Sequence, residues 1–167
     1  MGHRQIESTL AYYSLTPAIS DIMACTDNEI SQQLTQDDYE KKINPQAMQI
    51  AACLHDWLEH HVPSIKACSR HTLRNYHVSM TLYAEFLRTV KGITPETLNA
   101  DCFCKKNIEE WIVWMKKVRN CSPATCNVRL SALRAFLKYL SDNDISFVSV
   151  FLQAENVPNE KNFQKGK

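Results

Sequence analysis

The stretch from Ser122 to Leu140 constrains the fold more than any other part of the chain. It opens on Ser122, whose hydroxyl suits an N-cap because it can accept an unpaired first-turn amide. Pro123 follows at the first helical position, where a missing N–H costs nothing. Cys126, Leu130, Leu133, Leu137 and Leu140 then recur at i, i+4, i+7, i+11 and i+14 and form one apolar stripe. Helical periodicity of this kind is common along the chain, and strand-like alternation is scarce. Only Gly2, Gly92 and Gly166 supply glycine, so tight turns and phosphate-cradling loops are nearly excluded. A hydrophobic content of 44% is enough for a core, and 167 residues leave room for one ordinary domain with tails. The fold class expected is all-α.

Three further helices can be placed by their ends. Asn44 caps one and Pro45 starts it, with Ile50, Leu54, Trp57, Leu58 and His61 facing inward and Pro63 just beyond its end. Ser69 caps the next, which runs to Gly92 as a natural C′ residue. Its buried stripe is Leu73, Tyr76, Met80, Tyr83, Leu87 and Val90. A third carries Ile108, Trp111, Ile112, Met115 and Val118 inward and Glu109, Glu110, Lys116 and Lys117 outward. The apolar run Ile145–Leu152 reads as a short fifth helix. Polar composition from Cys25 to Lys42 reads as a linker.

A second stripe lies beside the apolar one on the Ser122–Leu140 helix. Asn127, Ser131, Arg134 and Lys138 share a face that holds donors and two cations and no acid. On the Ser69–Gly92 helix, Arg70, Arg74, His77, Thr81 and Arg88 share another. Formal net charge is only +1, so any case for an anionic partner rests on this local distribution. The seven cysteines form no Cys-x-x-Cys pair and their number is odd. Reduced thiols in a cytoplasmic protein, several of them buried, are expected, with no metal, no cofactor, no small-molecule substrate and no membrane span.

Ser122-x-x-Thr125-x-Asn127-x-Arg129-Leu130-Ser131-Ala132-Leu133-Arg134-x-Phe136-x-x-Tyr139-Leu140 resembles the last long helix of the core-binding domain of tyrosine recombinases, the phage-integrase family. Thr72 and Tyr76 are similar to the Thr-x-x-x-Tyr of that domain's second helix. The resemblance implies a SAM-like bundle of four to five helices over residues 44–155, with a linker-like tail at 156–167. It implies double-stranded DNA as the partner, gripped by the second and fourth helices. Arg70, Arg74, Arg134 and Lys138 would contact phosphates, and Asn127 and Arg129 would reach base edges. Thr72, His77, Thr125 and Ser131 complete the expected DNA-facing set. Arg129 has a second expectation, pairing with an acid of a neighbouring helix. The fold is expected to survive loss of Asn127, Arg134 or Lys138, because all three lie off the apolar stripe.

Gly2-His3-x-x-Ile6-x-x-Thr9-x-x-Tyr12 resembles the closing motif of the family's catalytic domain. On that resemblance His3 matches an active-site histidine and Tyr12 the nucleophile; Tyr13 is adjacent, and spacing from Gly2-His3 favours Tyr12. The order is reversed relative to the family, and its two active-site arginines, lysine and His-x-x-Arg box have no counterpart. The expectation is therefore a fragment at residues 1–25 and a linker at 26–43, as in a truncated or fused product of recombinase genes from a mobile element. Alone it would be inactive, with Tyr12 acting only if supplied to a partner in trans. The rival expectation is a helical module that binds other recombinase subunits without touching DNA.

Overall fold

The helix caps legible in the chain form as bonded caps in three dimensions. The computed structural model describes residues 44–65 and 67–161. Helix α1 spans Pro45–Asp56, and Asn44 Oδ1 accepts the Gln46 N–H at 3.0 Å. Helix α2 spans Arg70–Lys91, with Ser69 Oγ accepting the Thr72 N–H at 3.1 Å. It stops at Gly92, whose φ of 65° is a left-handed conformation that a Cβ would disfavour. Helix α3 is Lys105–Val118. Helix α4 is Pro123–Asn143, with Ser122 Oγ accepting the Thr125 N–H at 3.2 Å. Helix α5 is Val148–Glu155. Short 3₁₀ turns at Pro95–Thr97, Ala100–Phe103 and Ile145–Phe147 fill the connections. Among the described residues there is no strand, so the all-α expectation holds.

Pro63 does not end α1 as the sequence implied. After Asp56 the helix continues through a π-helical turn, Trp57–His61, and a last turn, Val62–Ser64. The Val62 N–H reaches back to the Trp57 carbonyl. Proline has no N–H and its ring crowds the preceding turn; the wider π turn makes room for it. An inserted residue rotates the rest of the helix by about 100°. His61, expected inside, is consequently exposed, with its ring against Tyr139 at 4.6 Å.

Helix α4 lies at the centre and packs against α1, α2, α3 and α5. All five residues of its apolar stripe are at most 1% exposed. Around them Trp57 stacks on Tyr76 at 4.8 Å, and Tyr83 stacks on Phe103 at 5.4 Å and meets Trp111 edge-on at 5.0 Å. Phe86, absent from the expected stripe, is fully buried because α2 is covered by α3 as well as by α4. Val90 and Val118, expected inside, are 48% and 59% exposed. Each sits in the last turn of its helix. In the fifth helical region Phe147 and Val150 turn inward, while Ile145 and Leu152 are exposed. The six described cysteines are free thiols, with Cys102 and Cys126 buried. Val157, read as the start of a linker, is 2% exposed. No helix among the described residues is long and apolar enough to cross a membrane.

Candidate nucleic-acid interface

Six cations of the bundle lie against an acid. Lys91 pairs with Glu110, Lys105 with Glu109, Lys116 with Glu160, Arg119 with Glu85, Arg134 with Glu155 and Lys138 with Asp142. The N-terminal half of α2 is different. From Arg70 to Leu82 it carries Arg70, His71, Arg74 and His77 and no acid. Arg70 and Arg74 are exposed, and among the described residues neither has a carboxylate partner. His77 is half-buried, and burial lowers its pKa, with Glu59 opposing in part. The neutral imidazole is therefore favoured, and the positive field of this half-helix comes from the two arginines.

Between them, α2 and α4 bound an open groove of about 330 Å³. Thr72, Asn75 and Tyr76 form one wall and Asn127, Val128 and Ser131 the other. Thr72, Asn75, Asn127 and Ser131 bring hydroxyl and amide groups to a lining that is otherwise largely apolar. The same local motif starts both helices. Thr72 Oγ1 lies 3.0 Å from Ser69 Oγ, and Thr125 Oγ1 lies 3.0 Å from Ser122 Oγ. Thr72 and Thr125 thus complete N-caps as well as standing near the groove.

Among the described residues Arg129 has no acid partner, contrary to its second expectation. Its Nη1 donates to the Asn75 carbonyl and Oδ1, both at 3.3 Å, and approaches Ser79 Oγ at 3.5 Å. Its Nε is buried with no hydrogen-bond partner. Ser79, itself fully buried, donates to the Asn75 carbonyl at 2.5 Å. Burial lowers the Arg129 pKa, yet a guanidinium stays charged in proteins. It is a cation held in place between α2 and α4 by neutral groups.

The second stripe of α4 divides. Ser131 is exposed at the groove. Asn127 turns both ends of its amide to the chain after α5: Nδ2 donates to the Glu160 carbonyl at 2.9 Å, and Oδ1 accepts the Glu160 N–H at 2.8 Å. Arg134 donates from Nε to the Ala154 carbonyl at 3.0 Å, from Nη1 to Asn159 Oδ1 at 3.0 Å, and from Nη2 to the Val157 carbonyl. Lys138 is exposed, bonds Asp142 at 2.5 Å and lies over the Phe151 ring at 6.0 Å. Periodicity placed Asn127, Arg134 and Lys138 on a common face. It carried no information that α5 and the following segment lie along that face.

Two features escaped sequence reasoning. Asn75 belongs to the groove and holds Arg129, which only the register of α2 on α4 reveals. Lys116, assigned to an outward face diluted by acids, reaches Glu160 at 2.8 Å and so sits next to Asn127. At the π turn, Tyr139 donates to Asp56, and that bond with burial pushes its pKa up to about 12. His60 Nδ1 lies 3.4 Å from the same carboxylate. No metal-binding group of three His, Cys, Asp or Glu exists among the described residues. His3 and Tyr12, together with the segments 1–25 and 26–43, lie outside the described residues.

Among known families, the model for the phage integrase N-terminal SAM-like domain matches residues 54–143, just over half of the chain. The match runs from the last turns of α1 to the last residue of α4. No curated protein and no solved structure matches the chain.

Proposed function

Since the chain belongs to the phage-integrase family through its N-terminal SAM-like domain, we propose that the bundle binds duplex DNA as the core-binding part of a site-specific tyrosine recombinase. One observation carries the reading. The acid-free half of α2 presents exposed Arg70 and Arg74 with no carboxylate partner among the described residues, whereas Lys105 and Lys116 of α3 and Arg134 and Lys138 of α4 each lie against a carboxylate. On a duplex, Arg70 and Arg74 contact phosphates, and counterion release supplies most of the affinity without reading sequence. Thr72 and Ser131 add neutral hydrogen bonds at the groove. Arg129, anchored by Asn75, adds a cation whose orientation is set before binding, so little side-chain freedom is lost. Base discrimination falls to the amides lining the groove, Asn75 and Asn127, since an amide can pair bidentately with adenine.

Fluorescence anisotropy of a labelled duplex at several salt concentrations tests this. Binding should fall steeply with salt. Arg70→Ala and Arg74→Ala should each weaken binding for every sequence and flatten the log–log salt slope by about one unit. Lys117→Ala, exposed on α3, should do neither. Binding that ignores salt, or a larger loss at Lys117 than at Arg74, would overturn the proposal.

A second reading has its own observation. Ile145, in the 3₁₀ turn before α5, and Leu152, on α5, are 87% and 53% exposed, apolar groups able to contact another recombinase subunit. The same titration separates the two, because a module that binds only protein shows no salt-dependent DNA complex.

A further inference from the structure

We infer that Pro158–Lys161 is a strap that competes with duplex DNA for the α2–α4 groove, an inference that rests on the DNA-binding function proposed above. The groups the strap occupies are those a duplex needs. Asn127 forms one wall of the groove, and its donor and acceptor are both used on the Glu160 backbone, at 2.9 and 2.8 Å. One N–H and one lone pair of that amide remain, but the edge that would pair bidentately with a base is taken. The Glu160 carboxylate takes Lys116 Nζ at 2.8 Å, and Asn159 Oδ1 takes Arg134 Nη1 at 3.0 Å. An anionic side chain thus lies against donors that would otherwise attract a phosphate.

The strap is built to lift without unfolding the bundle. Val157 is 2% exposed and its carbonyl accepts from Arg134, so the chain is fixed to that point. Pro158 comes next, exposed and without an N–H to lose. Beyond it the contacts are polar and exchangeable with water, and Asn159 and Lys161 are exposed. Rotation about the bonds that follow Pro158, whose own φ its ring fixes, frees Asn127, Lys116 and one arm of Arg134 together and removes one negative charge from the groove edge. Phosphates then replace the carboxylate on Lys116. Apparent DNA affinity is the intrinsic affinity reduced by the fraction of molecules with the strap lifted.

Two variants separate charge from tethering. Glu160→Gln removes the carboxylate and keeps the N–H; Glu160→Pro removes both. Each lies beyond the last helix. Duplex affinity by anisotropy should rise in the order wild type, Glu160→Gln, Glu160→Pro, with the proline variant about three- to tenfold tighter than wild type, as expected for release of a hydrogen-bonded pair. Amide hydrogen exchange supplies the second readout. The Glu160 N–H should be protected in the free protein and exchange freely in the DNA complex. If the wild type binds DNA and the proline variant binds no tighter than the glutamine variant, or if Glu160 stays protected in the complex, the strap is wrong and the DNA-binding function stands. If neither wild type nor proline variant binds DNA, both fall. Binding by the proline variant alone would support both.

Discussion

Arg134→Met should destabilise the bundle, although the sequence placed Arg134 on a face whose loss the fold would survive. The side chain is 17% exposed, and its guanidinium spans three acceptors: the Ala154 and Val157 carbonyls and Asn159 Oδ1. Ala154 lies in the last turn of α5, where the helix dipole favours a cation, and its carbonyl accepts the Val157 N–H at 3.3 Å as well as Arg134. Arg134 therefore caps α5 from α4. Hydrogen bonds from a charged donor contribute about 1.5–3 kcal/mol each, and three sharing one guanidinium do not add in full. A loss of about 2–4 kcal/mol is expected from that range, against a total stability of about 5–15 kcal/mol. The Glu155 contact, at 3.8 Å and half exposed, adds little. Methionine keeps the apolar stem, so the loss reports the polar contacts and not the packing. Urea unfolding followed by far-UV circular dichroism should show the midpoint falling by about 1–2 M, for a slope of about 2 kcal/mol per molar. Arg134→Lys should recover less than half, since one ammonium cannot reach all three acceptors. A change within about 0.5 kcal/mol, the usual range for a surface position, would refute the capping role and return Arg134 to the solvated stripe.

Two further outcomes are expected from the packing. The Tyr139 phenol is raised to about 12 by its bond to Asp56, so the protonated form is favoured in the folded state. Its contribution should be fully present below the unfolded value of about 10 and disappear as pH rises towards 12; the difference in melting temperature between wild type and Tyr139→Phe should shrink over that window. A difference independent of pH would show that the bond does not set the pKa. Leu133→Ala, at a position with no exposure in the centre of α4, should cost about 2–5 kcal/mol in the same urea assay.

The helices were legible because their signals are local. A serine or asparagine cap acts within three residues, a proline at N1 within one, and an apolar stripe within a few turns, so Asn44, Ser69, Gly92, Ser122 and the Cys126–Leu140 stripe could be read from neighbours alone. The α2 and α4 motifs that resemble the phage-integrase family lie within the span its domain matches. What the polar faces touch was not legible. Asn127, Arg134 and Lys138 share a helical face by periodicity, yet Asn127 bonds a residue 33 positions further along and Arg134 residues 20 to 25 positions further along, and only the docking of α5 decides that. Arg129 met the backbone of Asn75 instead of an acid, because the register of α4 on α2 is set by Phe136, Leu133 and Tyr76 in the core and not by the charges. Helix type and ends are fixed by interactions between near neighbours in the chain. The partner of a long polar side chain is fixed by where two apolar faces come to rest, which no single segment encodes.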